Sequence, residues 1–488
     1  MAAPMEDTER KRLLDSSNSS VNDEDDSEFR VYGRRWFILA VVFLLNLTNG
    51  MIWITFSPIA DTAVPYYKIT PFQLNILVLV FAIASVPFGF AASWLLDTLG
   101  LKMSLILAAW LNGLGSFLRN VSTFESVPVD YRFTVCLIGQ ILAACAQPFI
   151  MFSPTKLAAL WFAGDQRATA NMIASMANPL GILAANILAP AVVQQQKDIP
   201  TLLWVITAPT LFTMVMATFG VRSSVPPTPP TSSAEEKSEP FFAGLKKIIK
   251  NKNYWVLNFV FGAGLALFTV FSSFLDQMLC PRGYTDTYAG MCGALMIGVG
   301  SIGAVFAGLY VDRTKRFEEV VKFCWCLSTV FGIAFTQVSR FRDQQVLVAL
   351  AVALFGGFGF AIYPICMELA VEVTYPIAEA TSAGLMVISG QIQGIIYLLL
   401  MQFIAQDLSE EELEKGTGCS TSNQKANDFT PQDWTVPGMF VSGIAALSSV
   451  VLIAFFRAEY RRMNAEQRKA AEKIMNQTIV ISPPSYNT

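Results

Sequence analysis

The stretch Gly308-Leu-Tyr-Val-Asp312-Arg313-Thr-Lys315-Arg316 forms a short polar turn between two long apolar segments of the chain. A related stretch, Ser93-Trp-Leu-Leu-Asp97-Thr-Leu-Gly100-Leu-Lys102, separates two apolar segments nearer the N terminus, and the two aspartates are 215 positions apart. A second pair of matches, Ala168-Thr169 and Ala380-Thr381, is separated by 212 positions. Two anchors with nearly equal offsets indicate that the chain is a duplication of one unit.

The composition excludes several classes of protein. Of the 488 residues 53% are hydrophobic and 15% are charged, whereas an ordinary soluble domain carries about 25% charged residues. The formal net charge of −3 gives no electrostatic reason to expect nucleic-acid binding. The chain contains no histidine, which excludes His-ligated zinc or haem iron, a Ser-His-Asp triad and histidine proton relays. We expect a membrane protein without a bound metal or cofactor.

Twelve apolar segments are long enough to cross a bilayer, whose core of about 30 Å needs roughly 20 residues in a helix. The sequence therefore predicts an all-α polytopic membrane protein with twelve transmembrane helices. The predicted spans lie near 37–62, 72–96, 104–118, 133–158, 168–193, 201–221, 254–276, 290–311, 320–339, 345–370, 381–405 and 434–456.

A polar stretch near the middle of the chain separates the spans six and six. It contains Val225-Pro-Pro-Thr-Pro-Pro-Thr-Ser-Ser233, a composition typical of a linker that is partly polyproline. The predicted domains are a disordered N-terminal tail 1–36, an N-terminal six-helix bundle 37–221, a cytosolic linker 222–253, a C-terminal six-helix bundle 254–456 and a cytosolic C-terminal tail 457–488.

The distribution of lysine and arginine predicts the orientation. An even number of spans puts both termini on one side of the membrane. With the N terminus in the cytosol, the inner flanks and loops carry nineteen Lys or Arg residues and the outer loops carry nine. Because positive residues concentrate on the cytoplasmic side, we expect both termini in the cytosol.

Several motifs resemble a known family. The stretch 308–316 resembles the signature of the major facilitator superfamily, although Ser93 replaces its glycine in the first copy. Asn49-Gly-Met-Ile-Trp53, Pro154-Thr-Lys-Leu-Ala-Ala-Leu-Trp-Phe162 and Glu368-Leu-Ala-Val-Glu-Val-Thr-Tyr-Pro376 resemble the feline leukaemia virus subgroup C receptor family, solute carrier family 49. The resemblance implies the major facilitator fold, with two pseudo-symmetric six-helix bundles. It also implies solute transport, with choline, ethanolamine or haem as the substrates linked to the family.

Amide and aromatic side chains near the middle of the spans are candidate substrate-binding residues, because charged residues are almost absent there. Asn46, Asn49 and Trp53 share one face of the first span. The alternative for any single amide is a hydrogen bond between helices, which we prefer for Asn46, Gln140 and Asn171. The candidate substrate-binding residues are Asn49, Trp53, Gln147, Asn178, Phe268, Thr269, Tyr363 and Gln391.

This inventory favours a small cation or zwitterion over haem. Trp53, Phe268, Phe271 and Tyr363 suit a quaternary ammonium held by cation–π attraction, while the two central glutamines would orient a hydroxyl. No Arg or Lys in the middle of a span is available for the propionates of haem, and its iron would have only Tyr, Met or Cys as ligands. The resemblance places Trp53 in the substrate cavity. However, relatives that handle choline carry a tyrosine where Thr269 falls, which leaves the aromatic cage incomplete.

Charged residues at the cytoplasmic span ends are a candidate latch. A carboxylate just past a helix end can pair with basic loop residues or cap a neighbouring helix, in one transporter state only. A simple topology signal is the alternative, which we prefer for Asp97 taken alone. For Glu368 and Glu372, ion pairing with Arg313 or Lys156 is preferred over proton coupling, so facilitated diffusion is the expected mechanism. The candidate gating residues are Asp97, Lys102, Asp312, Arg313, Lys315, Arg316, Glu368 and Glu372.

Both tails carry short motifs. Glu9-Arg-Lys-Arg-Leu13-Leu14 fits the acidic dileucine pattern that clathrin adaptors read, which predicts residence in endosomes or lysosomes as the alternative to the plasma membrane. Pro483-Pro484-Ser485-Tyr486 fits the ligand of a WW domain, such as that of a ubiquitin ligase.

The outer loops offer two candidate modifications. Cys280 and Cys292 flank one short outer loop, where an oxidising compartment favours a disulfide; two free thiols are the equal alternative. Asn120-Val-Ser122 is a candidate glycosylation site close to the end of the third span.

These features favour a solute transporter over two other classes. A substrate would bind between the two bundles, which would rock around it. A non-transporting membrane receptor or scaffold on the same fold is the alternative. A membrane-embedded enzyme is disfavoured because the spans supply neither a nucleophile–base pair nor a metal cluster. We expect a monomer that binds a small molecule and the lipid bilayer and does not bind nucleic acid.

Overall fold

The structure is a computed structural model that describes residues 29–235, 241–408 and 432–481. Twelve helices in these residues are long and apolar enough to cross a membrane, and each matches one predicted span within a few residues, so the twelve-span prediction is confirmed. They are α1 (Arg34–Ile54), α2 (Pro71–Thr98), α3 (Gly100–Val121), α4 (Val129–Trp161), α5 (Arg167–Val192), α6 (Ile199–Val215), α7 (Lys252–Leu279), α8 (Asp286–Thr314), α9 (Phe317–Val338), α10 (Gln345–Thr374), α11 (Glu379–Ile404) and α12 (Thr435–Phe455).

Shorter elements connect and extend these helices. Strand β1 (Gln406–Asp407) pairs antiparallel with β2 (Gln432–Asp433) between α11 and α12. A further helix, Arg461–Ile481, follows α12 and is here called the C-terminal helix. The remaining short helices are Ser57–Ile59, Ala60–Tyr67, Gln196–Asp198, the π-helical turn Met216–Gly220, Ser232–Glu235, Phe241–Lys250 and Cys280–Arg282.

Local sequence explains where several helices begin and end. Thr70 precedes α2 and forms a capping box with Gln73, which satisfies free backbone N–H groups at the helix start. Thr285 caps α8 in a similar way through its side chain. At the other end of α8, Lys315 adopts a left-handed conformation with φ of 57° and terminates the helix. The polar stretch 312–316 therefore contains the last residues of α8 and the residue that terminates it.

The twelve helices form two bundles of six with matching internal contacts. Helix α1 packs on α5 and α3 on α4 in the first bundle, as α7 packs on α11 and α9 on α10 in the second. The bundles meet along two seams, α2 against α11 and α5 against α8. We call the end of the molecule where α1 begins and α12 ends the terminal face.

Small residues allow the closest helix packing. A Cβ atom at Gly303 of α8 would lie 2.0 Å from the carbonyl oxygen of Gly357 in α10. A Cβ atom at Gly181 of α5 would lie 2.1 Å from the carbonyl oxygen of Leu47 in α1. Such close backbone approach is the usual means of tight packing between membrane helices, where apolar burial alone gives little gain.

Candidate functional site

A cavity of about 1400 Å³, counting the space at its mouth, lies mostly within the second bundle, on the side that faces the first. Helices α7, α9, α10 and α12 supply most of its wall, and α1, α4, α5 and Met401 of α11 supply the remainder. It reaches Met278 and Thr336, which lie in the last turns of α7 and α9, far from the terminal face. Among the residues that the structure describes, no Asp, Glu, Lys or Arg lines this cavity.

Aromatic rings form much of the cavity wall. Phe268, Phe271 and Tyr363, three of the aromatic residues predicted from the sequence, all line it. The ring of Phe268 packs edge-on against Phe360 with centroids 5.1 Å apart, and Tyr363 lies 5.3 Å from Phe261. The rings are therefore fixed by contacts with one another, and their faces and edges form a preorganised apolar wall.

Two asparagines contribute amides from the first bundle. Asn178 of α5 lines the cavity, and its Nδ2 donates to the backbone carbonyl of Asn46 over 3.3 Å. Asn46 also lines the cavity, while its own Nδ2 donates to the carbonyls of Val42 and Ile150. The interhelical hydrogen bond expected for Asn46 is present, and the residue reaches the cavity as well.

Two predicted residues of α1 lie outside the cavity wall. The side chain of Asn49 is buried and donates to Asn112 Oδ1 over 3.0 Å and to the Ala143 carbonyl over 3.1 Å. The indole of Trp53 donates to the carbonyl of Val78 in α2 over 3.2 Å. In this structure both side chains join helices of the first bundle.

Three further predicted residues also lie outside the cavity wall. Gln147 accepts a hydrogen bond from Ser85 over 2.7 Å between α4 and α2. The hydroxyl of Thr269 donates to the carbonyl one turn earlier in α7 over 2.9 Å. Gln391 lies in α11 and is partly exposed.

A first polar cluster joins the bundles at the terminal face along the seam of α2 and α11. Asp97 accepts hydrogen bonds from the backbone N–H of Thr381 over 3.0 Å and from its hydroxyl over 2.6 Å. Lys156 of α4 lies between Asp97 and Glu379, with N–O distances of 3.1 and 2.8 Å. The Asp97 carboxylate therefore caps the start of α11, where the helix dipole favours negative charge.

Ser93 adds a bond to this seam. It stands where the superfamily motif has glycine, and its hydroxyl donates to the carbonyl of Ala380 over 2.8 Å. At the equivalent Gly308 in α8, a Cβ atom would lie 3.5 Å from the Met172 side chain and 3.8 Å from the Ala168 carbonyl oxygen. The departure from the motif thus provides one hydrogen bond between the bundles that a glycine lacks.

The second cluster repeats this arrangement along the seam of α5 and α8. Asp312 accepts from the backbone N–H groups of Ala168 and Thr169 over 3.0 and 2.7 Å, and so caps the start of α5. Lys315 donates from its Nζ to the carbonyl of Gly164. Burial lowers the pKa of Lys315, against the opposing effect of Asp312. Each aspartate of the repeated motif therefore caps a helix of the other bundle.

The remaining predicted latch residues are placed differently. The backbone N–H of Lys102 donates to the hydroxyl of Ser224 in the segment after α6 over 3.1 Å. The side chains of Arg313 and Arg316 are exposed.

The predicted partners of Glu368 and Glu372 are wrong. Both carboxylates of α10 are buried against Arg462 of the C-terminal helix and contact neither Arg313 nor Lys156. Arg462 Nε donates to Glu372 over 2.7 Å, and Nη2 lies 2.6 Å from the same oxygen and also donates to Glu368. Lys156 is instead engaged at the first cluster, and Arg313 faces outward.

The C-terminal helix also contacts the first bundle. Arg167 at the start of α5 lies 3.2 Å from Glu466 and donates to Ser233 over 3.0 Å, while Ser233 donates to Glu466. Burial opposes ionisation of Glu466, but Arg167, the Ser233 hydroxyl and Arg462 outweigh it and lower the pKa of this carboxyl. One helix beyond the last span therefore connects α10 with α5.

At two pairs of equivalent positions, the two clusters carry side chains of opposite charge. Lys156 corresponds to Glu368, and Arg167 corresponds to Glu379, each at an offset of 212 positions. In the first cluster Lys156 binds Glu379 directly. In the second, Arg167 and Glu368 bind Glu466 and Arg462, so the C-terminal helix lies between the equivalent partners.

The repeat, the twelve helices and the paired aspartate caps agree with comparisons to known proteins. Residues 38–398 match the family model described as Major Facilitator Superfamily. Solute carrier family 49 member A3 of Xenopus tropicalis is 46% identical over 446 residues, which cover 91% of each chain. The chain belongs to the major facilitator superfamily and, within it, to solute carrier family 49.

Two further matches agree with this assignment. The choline/ethanolamine transporter flvcr2a of Danio rerio is 26% identical over 454 residues, covering 90% of each chain. The fucose:proton symporter FucP of E. coli superposes with a TM-score of 0.61 at 14% identity, covering 86% of this chain and 98% of FucP. The second match shows the fold alone. The protein is therefore a multi-pass member of a family of membrane transporters.

Two predicted modifications in this solute carrier do not fit the structure. Cys292 is a buried free thiol, and Cys280 is disulfide-bonded, so the predicted pair of Cys280 with Cys292 is wrong. Asn120 is fully buried, and its Nδ2 donates to the carbonyls of Ser116 and Leu203 and to the Thr207 hydroxyl. An amide nitrogen engaged in this way inside the bundle is not placed to accept a glycan.

The motifs in the tails lie outside the described residues. These are the dileucine residues Glu9, Leu13 and Leu14 and the WW-ligand residues Pro483, Pro484 and Tyr486.

Proposed function

We propose that this solute carrier is a facilitative transporter of a small organic cation of the choline or ethanolamine type, which it moves by alternating access. The supporting observation is the cavity, because aromatic rings of α7 and α10 line it and no charged side chain does so within the described chain. An ammonium ion desolvated against such rings gains about 2 kcal/mol or more by cation–π attraction. A cation can therefore be held without a buried counter-ion.

The cavity suits a cation better than haem. The propionates of haem would be desolvated next to apolar rings without an Arg or Lys among the described lining residues, which is costly. The sequence also supplies no histidine for the iron. The relative named as a choline/ethanolamine transporter supports the same choice of substrate class.

The aromatic site proposed here differs in composition from the one expected by resemblance. Trp53 and Thr269 lie outside the cavity wall, whereas Phe268 and Phe271 of α7 and Tyr363 of α10 line it. The substrate would contact these three rings, while Asn178 would offer its amide oxygen to a hydroxyl or primary ammonium. Aromatic rings at Phe268, Phe271 and Tyr363 would thus supply the contacts that a tyrosine at position 269 would otherwise make.

Alternating access would act through the two aspartate caps. With Asp97 on α11 and Asp312 on α5, the bundles are joined at the terminal face, and the cavity extends toward the opposite face. Opening toward the terminal face requires both caps to break. Since no carboxylate lines the cavity in the described residues, the cycle runs down the gradient of the solute and needs no coupling ion.

The positive residues near the terminal face favour a cytosolic location for both tails. The dileucine motif would then meet a clathrin adaptor, and the C-terminal motif a WW-domain ubiquitin ligase. The transporter would act as a monomer and cycle between the plasma membrane and endosomes or lysosomes.

Uptake of labelled choline tests the proposal. The wild-type chain and Phe268→Leu are expressed with Leu13→Ala and Leu14→Ala to retain them at the surface, and Phe259→Leu serves as a matched control because Phe259 is on α7 but 38% exposed. We expect saturable uptake and a KM that rises about 2- to 30-fold in Phe268→Leu, since cation–π attraction contributes roughly 0.5–2 kcal/mol.

The control should keep the wild-type KM. Surface expression without saturable uptake of choline or ethanolamine contradicts the proposed substrate. Binding of these cations without uptake would favour the alternative, a receptor or scaffold on the same fold.

A further inference from the structure

We infer that Trp325 of α9 is a hydrogen-bond donor to an oxygen atom of the solute, and that it selects cations that carry a hydroxyl or carbonyl oxygen. This inference rests on the proposed function and adds to it a specificity-determining residue. Trp325 lines the cavity and is 3% exposed.

Among the described tryptophans, Trp325 alone has an indole N–H that is buried without an acceptor in the described chain. By contrast, the indoles of Trp53, Trp110, Trp161 and Trp255 each donate to a protein oxygen at 2.9–3.2 Å. A buried donor normally has a partner because an unpaired one is costly. A polar atom left unpaired beside a ligand cavity is therefore best explained by a partner on the ligand.

Packing fixes the Trp325 ring without using its N–H group. A Cβ atom at Gly264 of α7 would lie 2.7 Å from Cζ3 and 2.9 Å from Cη2 of the indole, so the six-membered ring lies directly against the backbone of α7. Gly264 lines the cavity as well. The ring is held by packing, and its one polar atom is buried in the cavity wall without a bond to the described protein.

The hydroxyl groups near Trp325 do not replace a ligand. Ser328 donates to the carbonyl of Phe355 over 3.3 Å, and Thr329 pairs with Ser449 over 2.9 Å. These bonds tie α9 to α10 and α12, and neither hydroxyl is bonded to the indole. A solute oxygen at this end of the cavity would satisfy Trp325 while the ammonium contacts the rings of Phe268, Phe271 and Tyr363.

The test compares choline with n-propyltrimethylammonium, in which a methyl group replaces the hydroxyl. Both compete for uptake of labelled choline by proteoliposomes that contain the full-length wild-type chain, Trp325→Phe or Trp255→Phe. Trp255 is a matched control because its N–H already bonds to the Ile249 carbonyl over 2.9 Å. A site built to bond a hydroxyl rejects the analogue that lacks it, so we expect wild-type protein to prefer choline about tenfold or more.

In Trp325→Phe the preference should fall to within about twofold, with retained affinity for the analogue, and Trp255→Phe should behave as wild type. An unchanged preference in Trp325→Phe overturns the inference, as does an equal loss of preference in Trp255→Phe. If Trp325→Phe does not fold, 3-benzothienylalanine at position 325 removes only the N–H and keeps the bicyclic shape. Wild-type protein that transports and binds neither cation overturns the proposed function itself, a result distinct from an unchanged preference.

Discussion

Asp97 at the end of α2 accepts two hydrogen bonds from Thr381 at the start of α11, and thereby joins the two bundles at the terminal face. Asp312 and Thr169 repeat this relationship between α8 and α5. The repeated motif thus places its carboxylate on the N terminus of a helix in the other bundle. Because both aspartates act across a seam, we expect them to bias the same proposed equilibrium between closed and open terminal faces.

Replacing Asp312 by Asn should shift this equilibrium toward an open terminal face. The amide loses the negative charge that interacts with the start of α5, an interaction of about 0.3–2 kcal/mol, so the open population should rise roughly 2- to 30-fold. Labelling of a cysteine placed at the cavity residue Ser175, by a reagent added from the terminal side, measures this population. Asp198→Asn is the control, because Asp198 caps a short helix between α5 and α6. Equal labelling of all variants would contradict the role of Asp312.

Replacing Arg462 by Gln should strongly destabilise the protein. The change leaves the carboxylates of Glu368 and Glu372, which are 1% and 2% exposed, buried without a cation. Loss of one partner of a buried ion pair costs about 3–5 kcal/mol. Arg461→Gln should have little effect, because the pair of Arg461 and Glu459 is exposed. Thermal unfolding in detergent provides the measurement.

The triple variant Arg462→Gln, Glu368→Gln, Glu372→Gln should recover much of the lost stability, because it removes the unpaired charges together. A triple variant as unstable as the single one would mean that shape, not charge, dominates this contact.

Acid should release the C-terminal helix from α5. Since the pKa of Glu466 is lowered below its ordinary value of 4.5, its ion pair with Arg167 stabilises docking above that pH. The contribution is lost as the pH falls through the lowered value. Limited proteolysis of the C-terminal helix should therefore be slower for wild type than for Glu466→Gln at pH 7, and this difference should be smaller at pH 3. The exposed Glu472→Gln should match wild type at both pH values, and a pH-independent difference for Glu466→Gln would contradict the prediction.

The sequence predicts the helices and the repeat because both are visible in the chain itself. Twenty apolar residues define a span wherever it packs, and the offset of Asp97 and Asp312 shows the repeat without any coordinates. The role of Arg462 could not be predicted in this way. It follows the last span in a polar tail, and only three-dimensional packing brings it to Glu368, which lies 94 positions earlier.

The cavity residues show the same limit. Periodicity correctly groups Asn49 and Trp53 on one face of α1, but it does not tell whether that face contacts the cavity or a neighbouring helix. The structure directs both toward neighbouring helices. Trp325 gave no signal in the sequence, since a tryptophan in an apolar span is ordinary. It becomes notable only when its N–H is found without an acceptor.

Gly264→Ala should disturb the proposed site indirectly, by displacing the ring of Trp325. The added methyl group would lie 2.7 Å from the Trp325 ring, a distance at which the indole must shift. Overpacking of this kind costs about 1–3 kcal/mol, so thermal stability should fall and the choline preference should weaken. Gly298→Ala in α8 is the control, because nothing lies within 4 Å of a Cβ atom there.

The double variant Gly264→Ala, Trp325→Phe separates shape from hydrogen bonding. The smaller ring makes room for the methyl group, so thermal stability should recover relative to Gly264→Ala. The choline preference should stay low, because no donor remains at position 325. If the double variant regained the preference together with its stability, selection would depend on the shape of the cavity wall, and the indole N–H would have no part in it.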